Sequence, residues 1–187
     1  MDLPDPPLAD PAAGIVLRAW SPTQADVAAL VAAWIDPALV AANRVPDDVS
    51  PAAAARWIRG EPDRRAAGAC LDLVVGPLDG GAAVLGEVGL RNIDRTRRRA
   101  EMSWWIAAGH RGRGLAVAGV RLLAGWALSD QAGLDQVWAR IDASNPGSAR
   151  VARAAGFTEL GSASGSQVWA RRRVPAAPAA PAGGGPP

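Results

Sequence analysis

The 187-residue chain has no lysine and no tyrosine, and only one cysteine, one histidine and one phenylalanine. Each shortage excludes something. Without tyrosine, no phenol can act as an acid or a base. A single cysteine, Cys70, cannot close an internal disulfide, and it reads as a reduced cytoplasmic thiol set in an apolar strand. No grouping of His, Cys, Asp and Glu has metal-site spacing, so no metal is expected. No apolar run approaches the ~18 residues that a membrane span needs. The opening MDLPDPPLADP is acidic and proline-rich, without the basic stretch and apolar run of a secretory signal. All 20 basic residues are arginine, and 18 acidic residues leave a net charge of +2. So small a charge does not argue for a nucleic acid or an anionic membrane as partner. In so arginine-biased a chain, the run Arg95-Thr96-Arg97-Arg98-Arg99 reads first as a solvated loop. Attraction of an acidic acceptor or an RNA-rich particle is the competing reading.

What is present is an ordinary globular balance, 49% hydrophobic and 20% charged, in a chain long enough for one domain with a full core. Residues 1–13 and 174–187 are rich in Pro, Ala, Asp or Gly and read as disordered tails around a domain spanning 14–173. Eight tryptophans leave room for an apolar acceptor pocket or a dimer face. Ile15–Trp20 reads as a first strand. A helix follows, with Ser21 as cap, Pro22 in its first turn and Gln24 closing a capping box. Its apolar stripe is Val27, Leu30, Val31 and Trp34. A second helix starts at Ser50-Pro51 and runs to about Arg59. Strands at 71–75 and 82–90 are joined by a turn holding Asp79-Gly80-Gly81. A polar loop over 91–99 leads to a strand at 100–107. A long helix from about 112 to 129 buries Leu115, Gly119, Leu122, Leu123 and Trp126. A strand at 136–141 precedes a short helix opened by Ser144-Asn145-Pro146, and strands at 157–160 and 167–171 close the domain. The order predicts an α/β (α+β) domain around a mixed sheet.

The most informative stretch is Trp104-Trp105-Ile106-Ala107-Ala108-Gly109-His110-Arg111-Gly112-Arg113-Gly114-Leu115-Ala116. A strand feeding a glycine-rich turn and then a helix N-terminus makes an anion site, because the first helical N–H groups lack acceptors and the helix dipole favours negative charge. Glycines let the backbone approach a pyrophosphate, and Arg111 and Arg113 can add charge-assisted contacts. There is no Gly-Lys-Ser/Thr of a Walker loop and no dinucleotide Gly-x-Gly-x-x-Gly spacing. An ordinary helix start is the alternative reading.

Arg111-Gly112-Arg113-Gly114-Leu115-Ala116 resembles the Arg/Gln-x-x-Gly-x-Gly/Ala signature of the GNAT N-acetyltransferases. Asn145-Pro146-Gly147-Ser148 through Gly156-Phe157 resembles the Asn-x-x-Ser…Gly-Phe segment of their RimJ/RimL-like branch. Leu17-Arg18, Gly86-Glu87-Val88-Gly89-Leu90 and Ala100–Ile106 are also similar to that branch. The resemblance covers nearly all of 14–173, and the order and spacing of its motifs make it specific. It implies a mixed, mostly antiparallel sheet of about seven strands with flanking helices, and acetyl-CoA as cosubstrate. It implies transfer of the acetyl group directly to a primary amine, on a protein N-terminus or a small molecule. An amine-bearing antibiotic as acceptor and a non-catalytic acyl-CoA-binding role are the alternatives. A homodimer is implied by family habit alone. Trp104, Trp105 and Ile106 would pair with the pantetheine arm, and the amides of Arg111, Gly112, Arg113, Gly114, Leu115 and Ala116 would hold the pyrophosphate. Asn145 would sit by the arm or the thiol, or simply cap its helix.

Acetyl transfer needs a base for the ammonium, a donor for the carbonyl oxygen and an exit for the thiolate. Glu101 is the first candidate base and Glu87, on the neighbouring strand, the second. Both lie in apolar strands where desolvation raises a carboxylate's pKa, and either could instead pair with arginine. Many family members place a tyrosine acid in the helix before Gly-Phe; here that place is Ala152, with Ser148 or water as substitutes. His110 reads as a solvent-facing or coenzyme-lining residue.

Overall fold

The computed structural model describes residues 1–41 and 45–174; the expected C-terminal tail lies, from 175 onward, outside the described residues. The chain forms β1 (Ala9–Asp10), β2 (Ile15–Ala19), α1 (Gln24–Trp34), α2 (Pro37–Val40), α3 (Pro51–Arg59), α4 (Glu61–Ala66), β3 (Cys70–Pro77), β4 (Gly86–Asp94) and β5 (Arg99–Ile106). A 3₁₀ turn at Ala108–His110 leads to α5 (Leu115–Ala127), β6 (Gln136–Asp142), α6 (Pro146–Ala154), β7 (Thr158–Ala163) and β8 (Ser166–Arg172). One eight-stranded sheet runs β1-β2-β3-β4-β5-β6-β8-β7. Among the paired strands only β5 and β6 are parallel, joined by the α5 crossover. The mixed, mostly antiparallel sheet with flanking helices is as expected.

Strand alternation divides the sheet into two faces. Ile15, Leu17, Leu71, Leu73, Val75, Val88, Leu90, Ala100, Met102 and Ile106 point to one face. There they meet Leu115, Val120, Leu123 and Trp126 of α5 and Ala152 of α6 in the main core. Gly119 lets α5 lie close, since a Cβ there would sit 3.1 Å from Val88 Cγ1 and 3.3 Å from Val75 Cγ2. The opposite face carries a second, smaller cluster in which Trp20, Val74 and Val84 pack beneath Leu30 of α1 and Ala54 and Ile58 of α3.

Several local expectations change. The N-terminal segment is not a tail: β1 pairs with β2 through Ala9↔Val16 and Asp10↔Ile15, Met1 and Leu8 pack on the main core, and the terminal ammonium donates to Arg65 O at 2.9 Å. These few anchors are diluted among prolines and aspartates in the sequence. Helix α1 is capped by Thr23, not Ser21. Thr23 Oγ1 accepts from Asp26 N at 3.2 Å, and Asp26 reaches back to Ser21 N at 2.9 Å. Asp26 is buried and forms a two-pronged pair with Arg18 at 2.8 and 2.7 Å. Ser50 and Asn145 cap α3 and α6 as expected. The strand expected at 82–90 starts only at Gly86 and runs to Asp94. The short helices α2 and α4 give too few turns for an apolar period to register in the sequence. Among the described residues no helix is long and apolar enough to cross a membrane.

Candidate active site

Strands β5 and β6 pair only through Arg99↔Gln136, Ala100↔Val137 and Glu101↔Trp138, although β5 continues to Ile106 and β6 to Asp142. Beyond Glu101 the two strands splay, leaving one backbone edge of β5 without a neighbouring strand. Because the strands are parallel, their C-terminal ends lie at the same end of the molecule, and each feeds a helix: α5 after β5, α6 after β6. A crevice outside the carboxyl ends of parallel strands, faced by helix N-termini, is where α/β sheets bind ligands.

The turn into α5 is open. Gly112 and Gly114 both have φ of +77°, a left-handed conformation that favours glycine, and a Cβ on either would meet nothing within 4 Å. Gly114 is the N-cap and has no side-chain partner. The first helical backbone bond is Ala118 N to Gly114 O, at 3.1 Å. Among the described residues the N–H groups of Gly112 to Val117 therefore have no protein acceptor. The two arginines of the turn are placed differently from one another. Arg113 is exposed and donates to Gly109 O at 3.2 Å. Arg111 turns back, with Nε on Ile106 O at 2.9 Å and Nη2 paired to Asp36. His110 is half-buried, and its Nδ1 is enclosed without a partner.

On the sheet face under α1 and α3 sits Glu87, 7% exposed. Trp20 Nε1 donates to one of its oxygens at 3.0 Å and Trp105 Nε1 to the other at 3.3 Å. Trp57 meets Trp20 edge to face at 6.1 Å. Burial pushes the Glu87 carboxyl up to about 8, helped by the charge of Asp72, while the two indoles and Arg91 oppose the shift. Asp72, on β3, is also buried and raised by desolvation. Gly89 makes room for it, since a Cβ there would come within 2.7 Å of Asp72 Oδ1. Burial and the Asp72 charge also push the Cys70 thiol up to about 12, leaving it protonated and unreactive. Glu101 is half-buried and accepts from Asn92 Nδ2 at 2.7 Å. It faces Arg91 across the β4–β5 ladder, at the last β5–β6 pair, whereas Glu87 faces Trp105 in the splayed part. Of the two candidates, Glu87 is the enclosed one.

Residues 15–158 match the acetyltransferase (GNAT) domain family. The chain belongs to the GNAT acetyltransferases. It is an N-acetyltransferase that takes acetyl-CoA as donor and an amine as acceptor. Three solved structures share the fold of this GNAT domain. RimJ of Mycobacterium smegmatis, in complex with CoA-disulfide, is 21% identical with a TM-score of 0.74, covering 89% of this chain and 85% of its own. RimL, a ribosomal L7/L12 α-N-protein acetyltransferase in complex with coenzyme A, is 17% identical with a TM-score of 0.71 (85% and 94% covered). The microcin C7 self-immunity acetyltransferase MccE, in complex with acetyl-CoA and AMP, is 15% identical with a TM-score of 0.72 (85% and 92% covered). No curated protein matches the chain.

Other expected site residues of this GNAT domain fall as follows. Trp104 and Ile106 point to the main core, Trp105 to the Glu87 face. Asn145 Oδ1 caps α6 through Ser148 N at 2.9 Å, which places both residues at the α6 end of the splay. Ala152 is fully buried under the sheet and offers no hydroxyl. The arginine run forms the β4–β5 turn and is largely paired: Arg97 and Arg99 to Asp94 at 3.1 and 3.8 Å, Arg98 to Asp135 at 3.0 Å. A groove of about 500 Å³, lined by Pro22, Val27, Val31, Ile35 and Pro51, lies along α1, with neither Glu87 nor a residue of the α5 turn in its lining. Among the described residues no group of acidic, histidine or cysteine side chains could hold a metal ion. Sequence reasoning missed Trp20, Asp36 and Asp72. An aspartate alone in the apolar run Cys70–Pro77 was the available signal for Asp72; Trp20 and Asp36 carried none.

Proposed function

We propose that this GNAT enzyme acetylates the primary amine of an acceptor carried on an apolar body, with Glu87 as the general base. The observation that carries the cofactor site is the row of acceptor-less N–H groups from Gly112 to Val117 at the open end of the β5–β6 splay. These amides, with Arg113 beside them, suit a pyrophosphate, and the free edge of β5 suits the amide-bearing arm that follows it. An N–H of Trp104, Trp105 or Ile106 would then polarise the acetyl carbonyl, a contribution of about 3–4 kcal/mol in comparable oxyanion sites.

Glu87 in its carboxylate form takes the proton of the acceptor ammonium, directly or through a water. The freed amine attacks the carbonyl carbon, the C–S bond breaks with its electron pair leaving on the thiolate, and the nitrogen gives up its surplus proton to that thiolate or to solvent. What supports Glu87 over Glu101 is its burial, its raised pKa and its position opposite Trp105. Glu101 would orient the Asn92 side chain instead. With alanine at 152, the thiolate leaves unaided or takes a proton from water or Ser148.

Beside Glu87 stand Trp20, Trp105 and Val74, backed by Trp57 and Ile58 in the same cluster, with Arg64 stacked on Trp57 at 4.4 Å. Such walls favour an apolar or aromatic monoamine over a polycation. A protein N-terminus, as RimL uses, and a small antimicrobial compound, which the name of MccE brings to mind, are the other arms of the screen. The reading carries a cytoplasmic location and no nucleic-acid role; the homodimer is checked by light scattering. Calorimetric titration with acetyl-CoA, with ATP and NAD as controls, is the direct test. Selective saturable binding is expected, and a folded protein that ignores acetyl-CoA would end the proposal.

A further inference from the structure

Arg111 is the first residue of the cofactor turn, yet its side chain does not face the α5 N-terminus. Its guanidinium spans two other elements: Nε holds the carbonyl at the end of β5, and Nη2 pairs with Asp36 at the corner between α1 and α2. Asp36 is fixed at its other oxygen, where Oδ1 accepts from Ala38 N at 2.9 Å and caps α2. Two residues earlier, Trp34 ends α1 and packs in the cluster that holds Trp20 and Trp105, the donors to Glu87. One ion pair thus connects the turn that holds the donor to the helix that roofs the base. The pair is partly shielded, its side chains 39% and 14% exposed, so it is less screened than a fully solvated one.

We propose that Asp36 is a positioning residue, and that the Asp36–Arg111 strut sets the cofactor turn and ties the α1–α2 corner to it. The inference rests on the acetyl-CoA reading above. Its physical content is a coupling: a pyrophosphate that steadies the turn steadies Arg111, and through Asp36 the corner. By reciprocity, a steadied corner favours cofactor binding by the same factor.

Asp36→Asn separates this role from helix capping, because asparagine caps as well as aspartate but brings no charge to Arg111. The wild type is first titrated with CoA; failure to bind there removes the cofactor reading itself. Given wild-type binding, Asp36→Asn and Arg111→Gln should each weaken CoA by about three- to tenfold. Asp36→Glu should recover part of the loss, and the double variant should be no weaker than either single one. Thermal melts run alongside separate lost affinity from lost folding. Hydrogen exchange at saturating CoA supplies a second readout. The amides of Leu39 to Ala41 should slow on CoA binding in the wild type and not in Arg111→Gln. Unchanged or tighter CoA binding by Asp36→Asn, additive losses in the double variant, or equal slowing in Arg111→Gln would each overturn the strut.

Discussion

The two faces of the sheet are built from alternate residues of the same strands, yet they carry opposite chemistry. Under α5 the inward residues of β2, β3, β4 and β5 are aliphatic, alanine or methionine, with Trp104 partly buried beside them, and α5 answers with leucine, valine and tryptophan. Under α1 and α3 the same strands present Val74 and Glu87 beside Trp20 and Trp105, and that face continues through Asp72 to Ser103 and Glu101. A register shift of one residue would exchange the faces, burying carboxylates beneath α5 and leaving the aliphatic set under α1. The first face holds the domain together. The second keeps the Glu87 carboxylate out of water with its pKa raised to about 8, as the proposed role of base requires. A single layer of strands thus separates the folding problem from the chemical one.

That contrast can be broken most sharply at Glu87. Glu87→Gln should lower the turnover of a competent amine by about 10²- to 10⁴-fold near neutral pH, the usual worth of a general base. The wild-type rate should climb with pH toward about 8, where the carboxylate form takes over, and the variant should lose that limb. Persistence of the same limb in Glu87→Gln would move the base elsewhere. On the other face Leu123, fully buried in α5, should behave oppositely. Leu123→Ala should cost about 2–5 kcal/mol in denaturant unfolding while leaving the pH–rate profile in place. At the turn, Gly114→Ala puts a Cβ on a left-handed residue facing the ligand side. It should weaken acetyl-CoA at least tenfold by calorimetry, with a melt only slightly lowered.

Stability against pH gives a gentler version of the same comparison. The Glu87 carboxyl is raised from its ordinary 4.5 to about 8 in the folded state, so that state binds the extra proton between those values. Its contribution is fully present below about 4.5 and is lost as the pH rises through about 8. The wild type should therefore fall in melting temperature over that window relative to Glu87→Gln. Parallel curves would mean that the carboxyl is not held protonated. The smallest effect is expected at Glu101, whose exposed partner is Asn92. Glu101→Gln should change the rate by no more than a few-fold and leave the pH profile unaltered. A loss as large as that of Glu87→Gln would restore Glu101 as the base.

The fold, the glycine turn before α5 and the acetyl-CoA cosubstrate were legible in the sequence. Gly112 and Gly114 were read as a glycine-rich turn into a helix where the backbone can approach a pyrophosphate, and both take the left-handed conformation that glycine adopts freely. Helix starts were read at Ser50-Pro51 and Ser144-Asn145-Pro146, and Ser50 and Asn145 are the caps there, each just ahead of a proline suited to a first turn. Ser21 was a reasonable cap by the same logic. It lost to Thr23 because Asp26 is held by Arg18 of β2, a contact made across eight residues. The choice between Glu87 and Glu101 was not legible at all. Both are glutamates in apolar strands, and the sequence reading puts Glu101 first and Glu87 second, whereas Glu87 is the enclosed one.

The sequence by itself determined the periods, the caps and the glycine turn, since each depends on neighbours within a few residues. Together with the order of its motifs, that was enough to reach the fold and the acetyl-CoA reading. Only the tertiary structure decided which glutamate is enclosed, that β5 leaves β6 after Glu101, and that Asp36 meets Arg111. Burial, strand separation and ion pairing between distant residues are set by which surfaces the helices cover. No local pattern encodes that, because the covering helices α1 and α3 and the covered carboxylate lie tens of residues apart in the chain.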